Sequence, residues 1–177
     1  MVPMIRTTRL ACFSAPLLAL ILGGCGGNLP GVASPSDSEP SFYKHLDASS
    51  ARVDAASARD MISIYRHNNG APPVTIDPGL QKVAEAQALA MAKADALSHE
   101  VRGTLSARLD AAHVPNRAAV ENVSAGYHTL AEAFSGWRQS PHHNENMLNP
   151  AMHRMGIATA YAPGSKYKVF WALVMTD

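Results

Sequence analysis

Residues 133–150 read AFSGWRQSPHHNENMLNP, an apolar-striped run that meets a proline and opens into paired histidines. On its N-terminal side, Thr129 and Glu132 have the spacing of a capping box. The hydroxyl accepts from the backbone N–H at Glu132, and the carboxylate accepts from the backbone at Thr129. Leu130, Ala133, Phe134 and Trp137 then recur at helical spacing, which predicts a helix with one apolar stripe. Pro141 disfavours helical geometry at Ser140, so the helix is expected to stop there. His142, His143, Asn144, Glu145 and Asn146 are expected to form a short polar turn before Met147 and Leu148 return to the core. One imidazole of the pair can then face a cleft.

The ends of this 177-residue chain differ in character from its middle. Arg6 and Arg9 precede an apolar run over residues 11–22, which has the length of a signal peptide and is short for a mature bilayer span. It leads into Leu22, Gly23, Gly24 and Cys25, a tetrapeptide that resembles the bacterial lipobox, whose cysteine is diacylated and becomes the new N-terminus. Residues 1–24 are thus expected to be a lipoprotein signal peptide, with Cys25 the lipidation site and membrane anchor. Residues 25–52 are expected to be a tether, since residues 26–41 are rich in Gly, Pro and Ser and have little apolar surface to bury. The folded domain is expected over residues 53–177.

Cys12 and Cys25 are the two cysteines, so with the signal removed and Cys25 acylated no thiol is left for a disulfide, a nucleophile or a zinc–thiolate site. A formal net charge of +1, with charged residues at 16%, supplies neither a basic patch for nucleic acid nor an acidic tail. The expectation is a monomer in the cell envelope, facing the periplasm or the exterior, with no nucleic-acid partner.

Within the domain, Met61, Ile64 and Tyr65 share a helical face that ends at Asn68, Asn69 and Gly70. Asp77 as N-cap and Pro78 at the first helical position start a second helix, whose inner face carries Leu80, Val83, Ala84, Gln87 and Met91. Seven alanines between Ala84 and Ala96 let this helix approach a neighbour closely. Leu105, Leu109 and Ala112 predict a third, shorter helix, and residues 118–126 a short strand that carries Glu121. Residues 156–162 and 168–176 are β-favouring runs around Pro163, Gly164 and Ser165, which reads as a hairpin with Val169 and Trp171 on one face and Phe170 on the other. A lone hairpin is marginal, so helices should cover both faces of a small antiparallel sheet.

His99, Glu121 and His143 stand out as polar residues placed where apolar segments end or where a strand is half buried. Neutral imidazoles with a carboxylate can bind zinc or form an acid–base pair. Their spacing is not the His-Glu-x-x-His of metalloproteases, and each alone reads as a satisfied or solvated side chain. A carboxylate between two imidazoles is expected to raise their pKa values unless a divalent cation occupies the site and reverses that preference. Trp137 and Trp171 read as core, and the Asn122-Val123-Ser124 sequon as incidental. His45, His67, His113, His128 and His153 form no evident constellation.

Four stretches together resemble the CAP superfamily of cysteine-rich secretory, antigen 5 and pathogenesis-related 1 proteins, in its bacterial form. They are MISIYRHNNGAPPVTIDPGLQKVAEAQA from Met61, LSH at 97–99, ENVSAG at 121–126 and WRQSPHHNENML at 137–148. The resemblance implies an α+β fold, a three-layer α/β/α sandwich, with a cleft of two histidines and two acidic residues that can hold zinc or another divalent cation. It implies that His99 and His143 are the histidines and Glu121 the glutamate, with His143 chosen over His142 by the alignment of Ser140, Pro141 and residues 146–148. Val120 stands where the family has glycine, and residues 101–108 lack the second acid; Glu100, beside His99, is a poor substitute. Two functions follow as expectations. The first is a membrane-tethered domain that binds a small-molecule or lipid ligand in this cleft. The second is a metal-assisted hydrolase with His99 and His143 on zinc and Glu121 as general base.

Overall fold

A computed structural model describes residues 39–177, so the leader, Cys25 and the tether as far as residue 38 lie outside the described residues. Helices α1 (Ala55–Asn68), α2 (Pro78–Ala94), α3 (Leu105–Ala111), α4 (Leu130–Gln139) and α5 (Pro141–Leu148) surround strands β1 (Thr75–Ile76), β2 (Ala119–Ala125), β3 (Arg154–Tyr161) and β4 (Val169–Thr176). The strand order is β1-β3-β4-β2. The expected hairpin is present: β3 and β4 pair antiparallel, and β2 adds antiparallel to β4 with Glu121 opposite Val174. The sheet is mixed rather than purely antiparallel, because β1 pairs parallel to β3. A two-residue strand has no room for a legible alternation, so Thr75 and Ile76 gave no signal.

Alternation along β4 splits the core into two layers. Val169, Trp171, Leu173 and Met175 pack with Ile62 of α1, Leu130 and Trp137 of α4 and Met147 of α5. Phe170, Ala172 and Val174 pack with Leu80, Val83, Ala84 and Met91 of α2 and with Leu109 of α3. Helices therefore cover both faces of the sheet, as the marginal stability of an uncovered hairpin requires. Trp137 and Trp171 meet edge to face at 6.1 Å in the first layer, both fully buried.

The caps are those the sequence predicts. Asp77 Oδ1 accepts from Gly79 and Leu80 at the start of α2, and the Thr129–Glu132 capping box closes the start of α4. Gln87 is buried with the apolar face of α2, its amide donating to the carbonyls of Ser98 and His99. Helix α2 approaches β3 closely at Gly156, where an added Cβ would collide with the backbone of Leu80 and Gln81, ahead of the alanine run from which the approach was expected.

Three expectations need correction. Pro141 ends α4 but does not open a polar turn. It occupies the first position of α5, where its missing N–H costs nothing and its fixed φ suits the helix. Ile64 is exposed, and the inner face of α1 is Ala58, Ile62 and Arg66. Arg66 escapes an apolar-stripe reading because it is buried by satisfaction: its guanidinium donates to the carbonyls of Pro72, Met147, Asn149 and Met152. Finally, order begins before residue 53. A 3-10 turn at Ser41–Tyr43 leads to Leu46, which is buried in the first layer with its N–H donating to the carbonyl of His128. Residues 41–52 are thus part of the folded body.

Candidate functional site

The edge strand β2 is the axis of the site. Its alternation sends Glu121 to the α2/α3 face of the sheet, opposite Val174, and Asn122 to the α5 face, opposite Leu173. Because no strand covers the outer side of β2, groups from both faces can meet around its free edge.

On the first face, Glu121 is buried and fully engaged. Arg108 of α3 grips it with both terminal nitrogens, Nη1 on Oε1 at 2.8 Å and Nη2 on Oε2 at 3.0 Å. The same Oε2 lies 2.8 Å from His99 Nδ1. Side-chain exposures of 5% for Arg108 and 3% for Glu121, against 52% for His99, make this a buried ion pair with one imidazole reaching solvent. Arg108 also donates to the carbonyls of His99 and Gly103, which fixes the loop after α2 relative to α3. A planar fork on a carboxylate is the geometry in which arginine is strongest.

On the other face, Asn122 donates to the carbonyl of His143 at 3.0 Å and accepts from Asn146 at 2.9 Å. Asn146 also donates to the backbone carbonyl of Glu121. These amides seat α5 against β2 and so orient His143, which is half buried, whereas His142 is exposed. The pKa of His143 is lowered from the ordinary value of 6.5, first by burial, then by repulsion from His142 and His99. For His143 this reverses the expected rise: Arg108 already neutralises Glu121, and burial penalises the charged ring. His143 is accordingly neutral at pH 7.

Of the three predicted residues, His99 and Glu121 are in direct contact, and His99 is the smallest of the three causes that lower the His143 pKa. Glu100 is exposed in the turn after His99, with its backbone N–H on Ser98 Oγ, and does not supply a second acid. Sequence reasoning missed Arg108, Asn122 and Asn146. Arg108 falls beside Leu109 on the inner face of a seven-residue helix, and a charge at such a position is the signal that was available. Asn122 is 1% exposed, so the sequon it begins is inaccessible in the folded chain.

A concavity of about 530 Å³ lies elsewhere, lined by Arg52, Gln81, Glu85, Leu89, Thr159 and Tyr161 among others, and includes none of the three predicted residues. Its floor is the edge of β3, where the Gln81 side-chain amide both donates to and accepts from the backbone of Ile157.

Five helices over both faces of a four-stranded sheet, with a buried glutamate on the edge strand paired to a loop histidine, define the class to which the comparisons point. The chain belongs to the CAP family, the cysteine-rich secretory protein family, whose model matches residues 59–175. It is 26% identical over 100 residues to the uncharacterized protein YkwD of Bacillus subtilis, an alignment covering 55% of this chain and 39% of that protein. An extracellular protein containing an SCP domain, from Bacillus anthracis, superposes with a TM-score of 0.61 at 25% identity, covering 69% of this chain and 39% of its own. An outer surface protein of Borrelia burgdorferi superposes with a TM-score of 0.63 at 19% identity, covering 69% and 90%, and bears on the fold alone. The chain thus spans about two-fifths of the length of the two Bacillus relatives.

Proposed function

We propose that this protein is a lipid-anchored CAP domain of the cell envelope, held through Cys25, that binds a small uncharged polar or lipid ligand in the cleft of His99, Glu121 and His143. The carrying observation is the Arg108 fork on both oxygens of Glu121. Arginine and glutamate cancel each other's charge, and His143 is held neutral, so the cleft offers hydrogen-bonding imidazole edges rather than a strong field. The extracellular description of the Bacillus anthracis protein is consistent with an envelope location. Among the described residues no helix is long and apolar enough to cross a membrane.

The hydrolase reading fits less well. A divalent cation at Glu121 would sit against a fixed guanidinium charge, with both carboxylate oxygens already bonded and His99 Nδ1 turned to Glu121. His99 and His143 alone are too few ligands for a catalytic zinc, which takes three from the protein. Glu121, paired on both oxygens, is poorly placed as a general base.

Native mass spectrometry of the protein extracted from its own membrane tests the ligand directly. A bound small molecule that is depleted in the His99→Ala and His143→Ala variants is the expected result. A protein free of any such adduct, or one retained equally in both variants, counts against the cleft.

A further inference from the structure

His45, Asp47 and His128 were not linked by sequence reading, yet each offers one ligand atom in a group lying within 4.8 Å of one another. We propose that they form a zinc site, separate from the His99–Glu121 cleft, that clamps residues 41–52 onto the start of α4.

Local backbone sets up the site. Leu46 is buried, and its neighbours His45 and Asp47 are both exposed, so the pair flanks one buried residue and shares the outward side. The Leu46 N–H donates to the carbonyl of His128 at 2.8 Å, bringing the third residue beside them. His128 itself is held by its own N–H on Glu132 Oε2, an extension of the α4 capping box. Two independent strands of chain are thus fixed by backbone bonds that do not involve the candidate ligand atoms.

Spacing then favours an ion over direct bonds. His45 Nδ1 is 3.5 Å from Asp47 Oδ1, and His128 Nδ1 is 3.6 Å from Asp47 Oδ2, both too long for good hydrogen bonds. The two imidazoles approach different oxygens of one carboxylate, so a zinc between them, with bonds of about 2.0–2.1 Å, would take Asp47 through both oxygens or draw the rings toward one. His128 Nδ1 is moreover buried with no hydrogen-bond partner, an unsatisfied nitrogen that coordination would satisfy. Two imidazoles and one carboxylate are a borderline donor set that suits zinc, with water completing the shell. The exposure of His45 and Asp47 points to a modest affinity and ready exchange.

The test is calorimetric titration of zinc chloride into the full chain, purified in detergent and stripped with EDTA. One zinc per chain is expected, with affinity reduced at least tenfold in His45→Ala and in Asp47→Asn, exposed positions where folding is not at risk. Affinity should be unchanged in His67→Ala, an exposed histidine outside the group. Zinc should also slow amide exchange at Leu46, a readout of the clamp itself. Absence of stoichiometric binding overturns the proposal. So does an affinity that survives His45→Ala and Asp47→Asn, and one that falls instead in His143→Ala would move the zinc to the cleft.

Discussion

Glu121 carries the charge logic of the cleft, because Arg108 determines what that carboxylate is free to do. Breaking a buried ion pair leaves an uncompensated charge and costs about 3–5 kcal/mol, whereas replacing both partners is close to neutral. Arg108→Met should therefore destabilise the domain by about that amount, and Arg108→Met combined with Glu121→Leu by much less, which urea denaturation of both variants would measure. Equal losses in the two variants would show the pair to be energetically idle. His143 makes a second, independent prediction. Between its lowered pKa and 6.5 the unfolded chain binds a proton that the folded chain does not, so its contribution is fully present above 6.5 and is lost as pH falls through that window. His143→Gln should flatten the fall in melting temperature between pH 7.5 and pH 5 relative to the parent, and an unchanged slope would contradict the burial of the ring. His99, Glu121 and His143 stood out where apolar segments end or a strand is half buried, but it was the family resemblance that grouped them and chose His143 over His142. Arg108 did not stand out, since its partner lies thirteen residues away across an α3–β2 contact that no local pattern announces.

Helices α4 and α5 illustrate why junctions are harder to read than elements. The capping box, the apolar stripe and the stop at Ser140 were all legible, because each is a local rule. The sequel was not, because proline both ends one helix and suits the first turn of the next, and only the tertiary seat on β2 selects the second role. That seat is Asn146, whose amide bridges Asn122 and the carbonyl of Glu121. Asn146→Ala should cost about 1–3 kcal/mol through the buried acceptors it abandons, and should shift the ring resonances of His143. A loss of stability without any change at His143 would mean that α5 is oriented by other contacts. The packing of α2 on β3 is likewise set by Gly156, whose missing Cβ admits the backbone of Leu80. Gly156→Ala should force the layers apart and cost about 1–3 kcal/mol, read as a lowered thermal midpoint; a neutral effect would indicate that α2 shifts freely.

Taken whole, the described residues form a two-layered core around one sheet, with one polar cluster at the edge strand and a second where residues 41–52 dock. The core layers followed from period-2 alternation in β4 and period-3.6 faces in the helices, which is why the fold class was legible from Trp171, Phe170 and their neighbours. The docked segment was not, because Phe42, Leu46 and Ala51, which pack it on the first layer, are too irregularly spaced to show a helix or strand period. The proposed lipid anchoring rests on residues 22–25, and metabolic labelling with a fatty acid should mark the parent protein and not the Cys25→Ser variant. For the cleft, the most direct measurement is a nitrogen spectrum of the histidine rings as the detergent-solubilised protein is titrated with a lipid extract of its own membrane. Ring shifts confined to His99 and His143, with His67 and His153 unmoved, are the expected result. Shifts that leave His99 and His143 in place while other rings respond, or no saturable shift at all, would contradict a ligand cleft at this edge of the sheet.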